Sequence, residues 1–452
     1  MNQESRIITP DQFGRRSFLR RTGGLLGGAA IATALDPSKF AHGAAASEEL
    51  KIALIGCGGR GSGAAGQALS TFSQGPVKLV AMADVFEDRL KGSLSNLQSQ
   101  HKDRVDVKPE NQFIGFDAYK KAIAMADVVI LATPPGFRPM QIEEAVKQGK
   151  HIFTEKPVAT DAPGVRTVLA AAAEAKKKGL RIGVGLQRHH QKGYIETMKR
   201  LHDGAIGDIH TLRAYWNGAT PWVKKRADLE KTAGRKLTEM EYQMRNWYYF
   251  TWICGDHIDE QHIHNLDVIN WAKGFKYPVK ASGMGGCEVR KGADYGEIFD
   301  HHAVEFEYED GSRCFSQCRH IVGCWNSVSE HAQGTKGKSD ISRHTINPTE
   351  GEAWRHKNEG DKDPYQQEHD DFFDAIRNNK EYSELENGAM SSMTAILGRM
   401  ATYTGVEVSM EKALKEGKSL MPPTLAWDAD MPVKPGPDGI YPRAVPGTTK
   451  PY

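Results

Sequence analysis

Leu50-Lys51-Ile52-Ala53-Leu54-Ile55-Gly56-Cys57-Gly58-Gly59-Arg60-Gly61 is the stretch whose reading decides the fold. Leu50 to Ile55 is a short apolar strand. It runs straight into G-x-G-x-x-G, and Ser62 to Ser70 then reads as a helix. The first glycine allows the tight turn, the second lets backbone approach a pyrophosphate, and the third lets helix pack on strand. The helix N-terminus supplies the phosphate-binding amides. A second strand, Val77 to Ala83, ends at Asp84, placed to accept from adenosine ribose hydroxyls, which favours NAD over NADP.

The pattern continues outward. Asp127 to Ala132 is a buried parallel strand ending in Thr133-Pro134-Pro135, followed by a helix over Met140 to Gln148. His151 to Thr154 is a strand that runs into Glu155-Lys156-Pro157. Ala162 to Lys178 is an alanine-rich helix, and Arg181 to Gly185 is the next strand, leading to Gln187-Arg188-His189-His190. Strand–helix alternation predicts a doubly wound parallel sheet through about residue 186. Gly193 to Asp203 then reads as a helix. Ile209 to Asn217, Val279 to Glu288, His302 to Tyr308 and Arg313 to His320 read as strands, with late helices over Gln366 to Asn378 and Ala389 to Thr404. The expectation is an α/β chain. Its Rossmann domain spans 47–186, an α+β domain with an open, mostly antiparallel sheet spans 187–421, and a Pro/Gly-rich tail over 422–452 wraps the surface. Pro221 to Thr251, rich in Trp and Tyr, reads as an irregular segment able to reach over a site.

Before the strand, Gly14-Arg15-Arg16-Ser17-Phe18-Leu19-Arg20 matches the twin-arginine export pattern. A Gly/Ala-rich apolar run from Gly23 to Leu35 and small residues from Gly43 to Ala46 complete a signal peptide over 1–46, too short to span a membrane. Export in the folded state fits a periplasmic or secreted protein that carries its cofactor out. The net charge of +2 gives no pull toward nucleic acid or anionic lipid. Six cysteines without C-x-x-C spacing, folded in a reducing cytoplasm, are expected to be structural thiols.

The second informative stretch is Gly255 to Asp267, GDHIDEQHIHNLD, with three histidines and four carboxylates. As one helix it would put Asp256, Glu260 and His264 on a shared face. That set suits a metal, a proton-transfer site or a charged structural helix.

Taken together, GCGGRG, ATPP, EKP, the acid-to-histidine spacing of Glu260 and His264, and Trp-Ala-Lys-Gly resemble the Gfo/Idh/MocA oxidoreductase family, in a secreted bacterial branch. The resemblance implies a Rossmann domain followed by an α/β domain. It further implies NAD(P)-dependent oxidation or reduction of secondary carbinols of sugars and cyclitols, in a homo-oligomer of two or four chains. Lys156 looks like the family's catalytic lysine, and Glu260 and His264 occupy its Asp-x-x-x-His positions. Pro157 looks like the proline that bends the chain beside the nicotinamide. The cofactor residues implied are Gly56, Gly58, Gly59, Arg60, Gly61, Asp84, Thr133, Pro134, Pro135, Glu155, Lys156 and Gln187. Glu260 departs from the usual aspartate, His262 from a small residue, and Arg138 from a nearby histidine.

In the chemistry expected, His264 exchanges a proton near neutrality, Lys156 steadies charge on the reacting oxygen, and Glu260 orients His264 or shifts its pKa. Arg188, Asp256, His257, His262 and Arg319 are candidates for gripping sugar hydroxyls, with His189 and His190 beside them. No metal is expected, because Lys156 would be brought against the acidic face. A trapped NAD must be regenerated in place. That leaves ping-pong sugar oxidoreduction, redox-neutral glycoside hydrolysis or epimerisation through transient oxidation, and, in another class, non-catalytic carbohydrate binding on a dehydrogenase scaffold.

Overall fold

Residues 48–452 are described in a computed structural model. The twin-arginine motif, the apolar run and the small residues after it lie outside the described residues. Six strands, β1 (Leu50–Ile55), β2 (Val77–Asp84), β3 (Gln112–Ile114), β4 (Val128–Leu131), β5 (His151–Thr154) and β6 (Ile182–Val184), form an all-parallel sheet in the order β3-β2-β1-β4-β5-β6. Helices cover both faces, so β4 and β5 are buried at every position; β4 is an unbroken apolar run, and β5 sets Ile152 and Phe153 between His151 and Thr154. The strand order reverses between β1 and β4, where a doubly wound sheet opens its ligand crevice.

A second sheet of nine strands follows: β7 (Ile209–Gly218), β8 (Lys280–Gly286), β9 (His301–Glu307), β10 (Arg313–His320), β11 (Ser327–Gly334), β12 (Gly337–Asp340), β13 (Thr345–Pro348), β14 (Trp354–Arg355) and β15 (Val408–Ser409). All its pairings are antiparallel except β7 with β10. On β10 Cys314, Ser316, Cys318 and His320 are buried, while Arg313, Phe315 and Gln317 face out. The buried face packs with helices Ile263–Ala272 and Leu385–Thr404.

Three readings of the sequence change. The helix Pro364–Arg377, placed by chain order in the second domain, packs Phe372, Phe373 and Ile376 against Leu50, Leu54 and Phe153 of the first sheet. Strands β11 to β14 were not anticipated, because few positions are buried there and two of them, Glu330 and Ser339, are polar. The tail is irregular but pinned. Met431 and Tyr441 are buried against the aromatic segment around Phe250 and Trp252. All six cysteines are free thiols, and no helix among the described residues is long and apolar enough to cross a membrane.

His190 fastens the first sheet to the late helices. Its Nδ1 lies 2.7 Å from Asp371 and its Nε2 3.1 Å from Glu384. Burial alone would depress its pKa, but the two carboxylates overcome this and push it up to about 10. A raised folded-state pKa contributes stability that is whole below about pH 6.5 and is lost as pH rises toward 10. We expect unfolding free energy to fall by on the order of 1–3 kcal/mol across that window. His190→Gln should flatten the slope in urea titrations at stepped pH.

Candidate functional site

The glycines of the first turn have distinct environments. Gly56 has φ +91°, and a Cβ there would sit 2.5 Å from the Ala132 carbonyl carbon. A Cβ on Gly61 would overlap the Gly56 carbonyl oxygen and lie 3.2 Å from Ala132 Cβ. Gly58 and Gly59 have nothing within 4 Å of a built Cβ. Two glycines therefore close the turn, and two leave open space at the start of the helix Gly59–Ser70. That is a cradle a dinucleotide's phosphates fit. Asp84 closes β2, and its carboxylate accepts the backbone N–H groups of Cys57 at 2.7 Å and Phe86 at 2.9 Å. Burial raises its pKa.

The other expected cofactor residues cluster at the same sheet edge. Arg60 pairs with Glu155 at 2.5 Å and Glu368 at 3.3 Å, under the Tyr365 ring. Thr133 Oγ1 bonds Gln141 at 2.7 Å, and Pro134 and Pro135 lead into a short turn. Gln187 reaches Tyr365, while its Oε1 is buried without a partner. Arg60 and Glu155 are thus engaged with each other, and Glu368 and Tyr365 come from a helix that the motif gave no reason to include.

Lys156 leaves the end of β5 through a cis Lys156–Pro157 bond. Its Nζ donates to the main-chain oxygen of Glu260 at 2.5 Å and to its carboxylate at 3.1 Å. Arg138 donates to the Pro157 carbonyl behind it. Burial raises the Glu260 pKa against the opposing pull of Lys156 and Arg138. Glu260 Oε2 and His264 Nδ1 are buried without partners. The His264 ring stacks on Trp216 at 6.0 Å. Burial, then the charges of Lys156, Arg188 and Arg60, hold the His264 pKa well below its usual value.

Several expectations are corrected. The segment is not one helix: Asp256 has φ +70° and starts a short helix, His257–Glu260, which ends at Gln261 before Ile263–Ala272 begins. Asp256, Glu260 and His264 therefore share no face. Asp256 turns to His257, Phe299 N–H and Tyr403 instead of the lysine. Glu260 meets Lys156, not His264, and His264 is a neutral imidazole at neutral pH. Among the expected sugar ligands, His262 is buried and bonded to Ser316 at 2.7 Å, which ties the segment to β10. Its pKa falls to about 3, chiefly through burial. His257 is fully buried as well. Arg188 is committed to Glu330, which also accepts from Tyr194 and Asn265. Arg319 lies on the outer face of β10 and donates to the Trp325 carbonyl. His189 bonds Asp267 at 2.6 Å and stacks on Trp271.

Residues the sequence did not single out complete the surroundings. Glu330 sits on a polar strand. Asp259 is fully buried, with both oxygens unpaired and its pKa pushed well up by burial. The Tyr248 hydroxyl is buried without a partner and feels the Glu260 charge. Only the carboxylate count of GDHIDEQHIHNLD hinted at Asp259.

Comparison with known proteins agrees with this geometry. Residues 50–185 match the Gfo/Idh/MocA oxidoreductase family, NAD-binding Rossmann fold. The 2,7-anhydro-N-acetylneuraminate hydratase of Escherichia coli is 26% identical over 231 residues, 49% of this chain and 56% of that protein. The inositol 2-dehydrogenase/D-chiro-inositol 3-dehydrogenase of Halalkalibacterium halodurans is 27% identical over 164 residues, 36% of this chain and 43% of that protein. The chain thus spans about half the length of the curated relatives it matches. The scyllo-inositol dehydrogenase of Lactobacillus casei, solved with NAD(H) and scyllo-inositol, superposes with a TM-score of 0.58 at 20% identity, over 80% of this chain and 100% of that one. The parallel sheet, its glycine cradle and the match over residues 50–185 make the nucleotide-binding domain of this chain similar to the NAD-binding Rossmann domain of the Gfo/Idh/MocA oxidoreductase family.

Proposed function

We propose that the chain is an NAD(P)-dependent oxidoreductase acting on a secondary hydroxyl of a sugar, glycoside or cyclitol, with NAD preferred and tightly held. The observation that carries the reading is the junction of Lys156 and Glu260, 3.1 Å apart at the end of β5, beside buried, unpaired His264 Nδ1. Gly56, Gly58, Gly59, Gly61 and Asp84 would hold the dinucleotide, which supplies a hydride acceptor. Lys156 donates to the reacting oxygen and stabilises its negative charge. Neutral His264 accepts the hydrogen bond of the substrate hydroxyl and takes up its proton, while Glu260 fixes the Lys156 ammonium. The inositol dehydrogenases among the relatives support a cyclitol or sugar substrate. Incubation with a panel of sugars, cyclitols and glycosides, with products read by mass spectrometry, tests the reading. Absence of both bound NAD(H) and turnover would sink it.

Asp84 supports the preference for NAD, because its carboxylate would repel a 2′-phosphate. Asp84→Asn retains a side-chain acceptor for Cys57 N–H but loses the charge. We expect NAD affinity to fall roughly 10–100-fold, with NADP affinity unchanged or improved, by titration calorimetry.

A redox-neutral reading, hydrolysis or epimerisation through transient oxidation, is favoured by one relative being named a hydratase. The same product analysis separates it from net oxidation. Export by the twin-arginine route rests on Arg15 and Arg16, and replacing both by lysine should keep the protein in the cytoplasm. Assembly into dimers or tetramers is supported by Met284 and Phe315, exposed apolar side chains on the outer face of the second sheet. Size-exclusion chromatography with light scattering tests it.

A further inference from the structure

Behind the turn that carries Glu260 lies a cluster that the proposed chemistry does not use. Asp256, His257 and His302 are buried, and one ligand-capable atom of each lies within 4.8 Å of the other two. They come from separate pieces of the fold. Asp256 and His257 open the short helix, His302 lies on the inner face of β9, and Thr402 of helix Leu385–Thr404 backs His302. Asp256 adopts φ +70°, a conformation a non-glycine residue holds only when its surroundings enforce it.

Two imidazole nitrogens of this cluster are buried without a hydrogen-bond partner. His257 Nδ1 is 2.8 Å from Asp256 Oδ1, so a neutral His257 donates there and keeps its lone pair on Nε2, which has no partner. His302 Nδ1 is 2.9 Å from Thr402 Oγ1, whose own hydrogen has the Gly398 and Arg399 carbonyls at 3.1 and 3.0 Å. His302 Nδ1 is thus held by Thr402, and its Nε2, 3.2 Å from Asp256 Oδ2, has no hydrogen bond of its own. Two buried imidazole nitrogens without partners thus converge beside a carboxylate held by His257, Phe299 and Tyr403. Such an arrangement suits a cation. The cationic side chains nearby are engaged elsewhere: Arg290 with His320 at 2.7 Å and the Phe299 carbonyl at 2.9 Å, and Arg399 with the Gly255 and Thr160 carbonyls.

We propose that Asp256, His257 and His302 bind a single divalent transition-metal ion, zinc by its two-imidazole, one-carboxylate donor set. The surroundings match a metal shell: Thr402 orients His302, while Phe299 N–H at 3.0 Å and the Tyr403 hydroxyl at 2.6 Å orient Asp256. The site lies apart from Lys156 and fastens the Glu260 turn to the second sheet and the late helix. Full-length protein purified without chelator should hold about one zinc per chain by plasma mass spectrometry. After stripping, it should take up cobalt(II) with the visible absorption of a low-symmetry site, and zinc should raise its Tm. His302→Phe keeps the packing volume and should lower metal content at least tenfold while bound NAD(H), measured on the same sample, stays. Protein that contains no metal and takes up neither cobalt nor zinc would overturn the proposal, as would metal fully retained by both His302→Phe and His257→Phe. Because the readout is metal content, it is independent of whether the chain turns over a sugar.

Discussion

Lys156→Ala is expected to lower kcat by about a thousandfold or more on whichever substrate the product panel identifies, with cofactor affinity and Tm nearly unchanged. Lys156 is bonded to Glu260 at the end of β5, and its Nζ donates twice to that residue. In the proposed reaction it also donates to the oxygen on which charge develops, an interaction realised most fully in the transition state. Its loss therefore falls on kcat more than on KM. The fold tolerates the change for an electrostatic reason. Burial already raises the Glu260 pKa and Lys156 opposes it. Without the ammonium the carboxyl takes up a proton, so no buried charge is left unpaired. Glu260→Gln separates the contributions. Lys156 keeps its 2.5 Å bond to the main-chain oxygen of residue 260, so the ammonium stays placed while its carboxylate partner is gone. We expect a smaller loss, roughly 10–100-fold, with an altered pH profile. Single-turnover absorbance of the reduced nicotinamide measures both. Undiminished hydride transfer in Lys156→Ala would remove the lysine from the chemistry.

The first sheet was legible in the sequence because its physics is local. Its longer strands are largely apolar, as in LKIALI and DVVILA, and G-x-G-x-x-G marks the turn by residue type alone, while the three-residue β3 carries no such signal. Lys156 and Glu260 were legible as family positions, and they meet in space although 104 residues separate them. Other features were not local. One backbone angle at Asp256 breaks GDHIDEQHIHNLD into two helices, and helical spacing carries no sign of that. His264 was expected to titrate near neutrality from its residue type. Its depression comes from burial and from Lys156, Arg188 and Arg60, charges brought together only by folding. Arg188 looked free for a sugar because Glu330, its partner, sits 142 residues away on a polar strand that periodicity does not reveal. Arg319 was assigned to the site without knowing which way β10 faces, and its odd-numbered positions turn outward.

The glycines between Gly56 and Gly61 allow folding and cofactor binding to be pulled apart with single methyl groups. Gly56→Ala should fail as a protein. Its φ of +91° is strained for any side chain, and the new Cβ would press on the backbone of Ala132 and Thr133 where β4 ends. Strain of about 1–3 kcal/mol adds to overpacking of similar size, enough to exhaust much of the stability of a marginal domain. We expect insoluble protein or a Tm lowered by many degrees. Gly58→Ala is the counterpart. Gly58 has φ −74° and ψ −177°, an extended conformation open to alanine, and its new Cβ meets nothing within 4 Å. Circular dichroism and Tm should stay close to those of the parent, within about 1 kcal/mol for the change at a helix N-cap. The methyl group nevertheless occupies the space through which a pyrophosphate must approach the backbone amides at the start of Gly59–Ser70. We expect NAD affinity to fall on the order of 100-fold, close to 3 kcal/mol. A folded Gly58→Ala protein that still carries its full complement of NAD would mean that the open space before the helix is not where the phosphates lie. A well-folded Gly56→Ala protein would mean that the turn can reopen, and that the close approach of β1 to β4 does not fix the cradle.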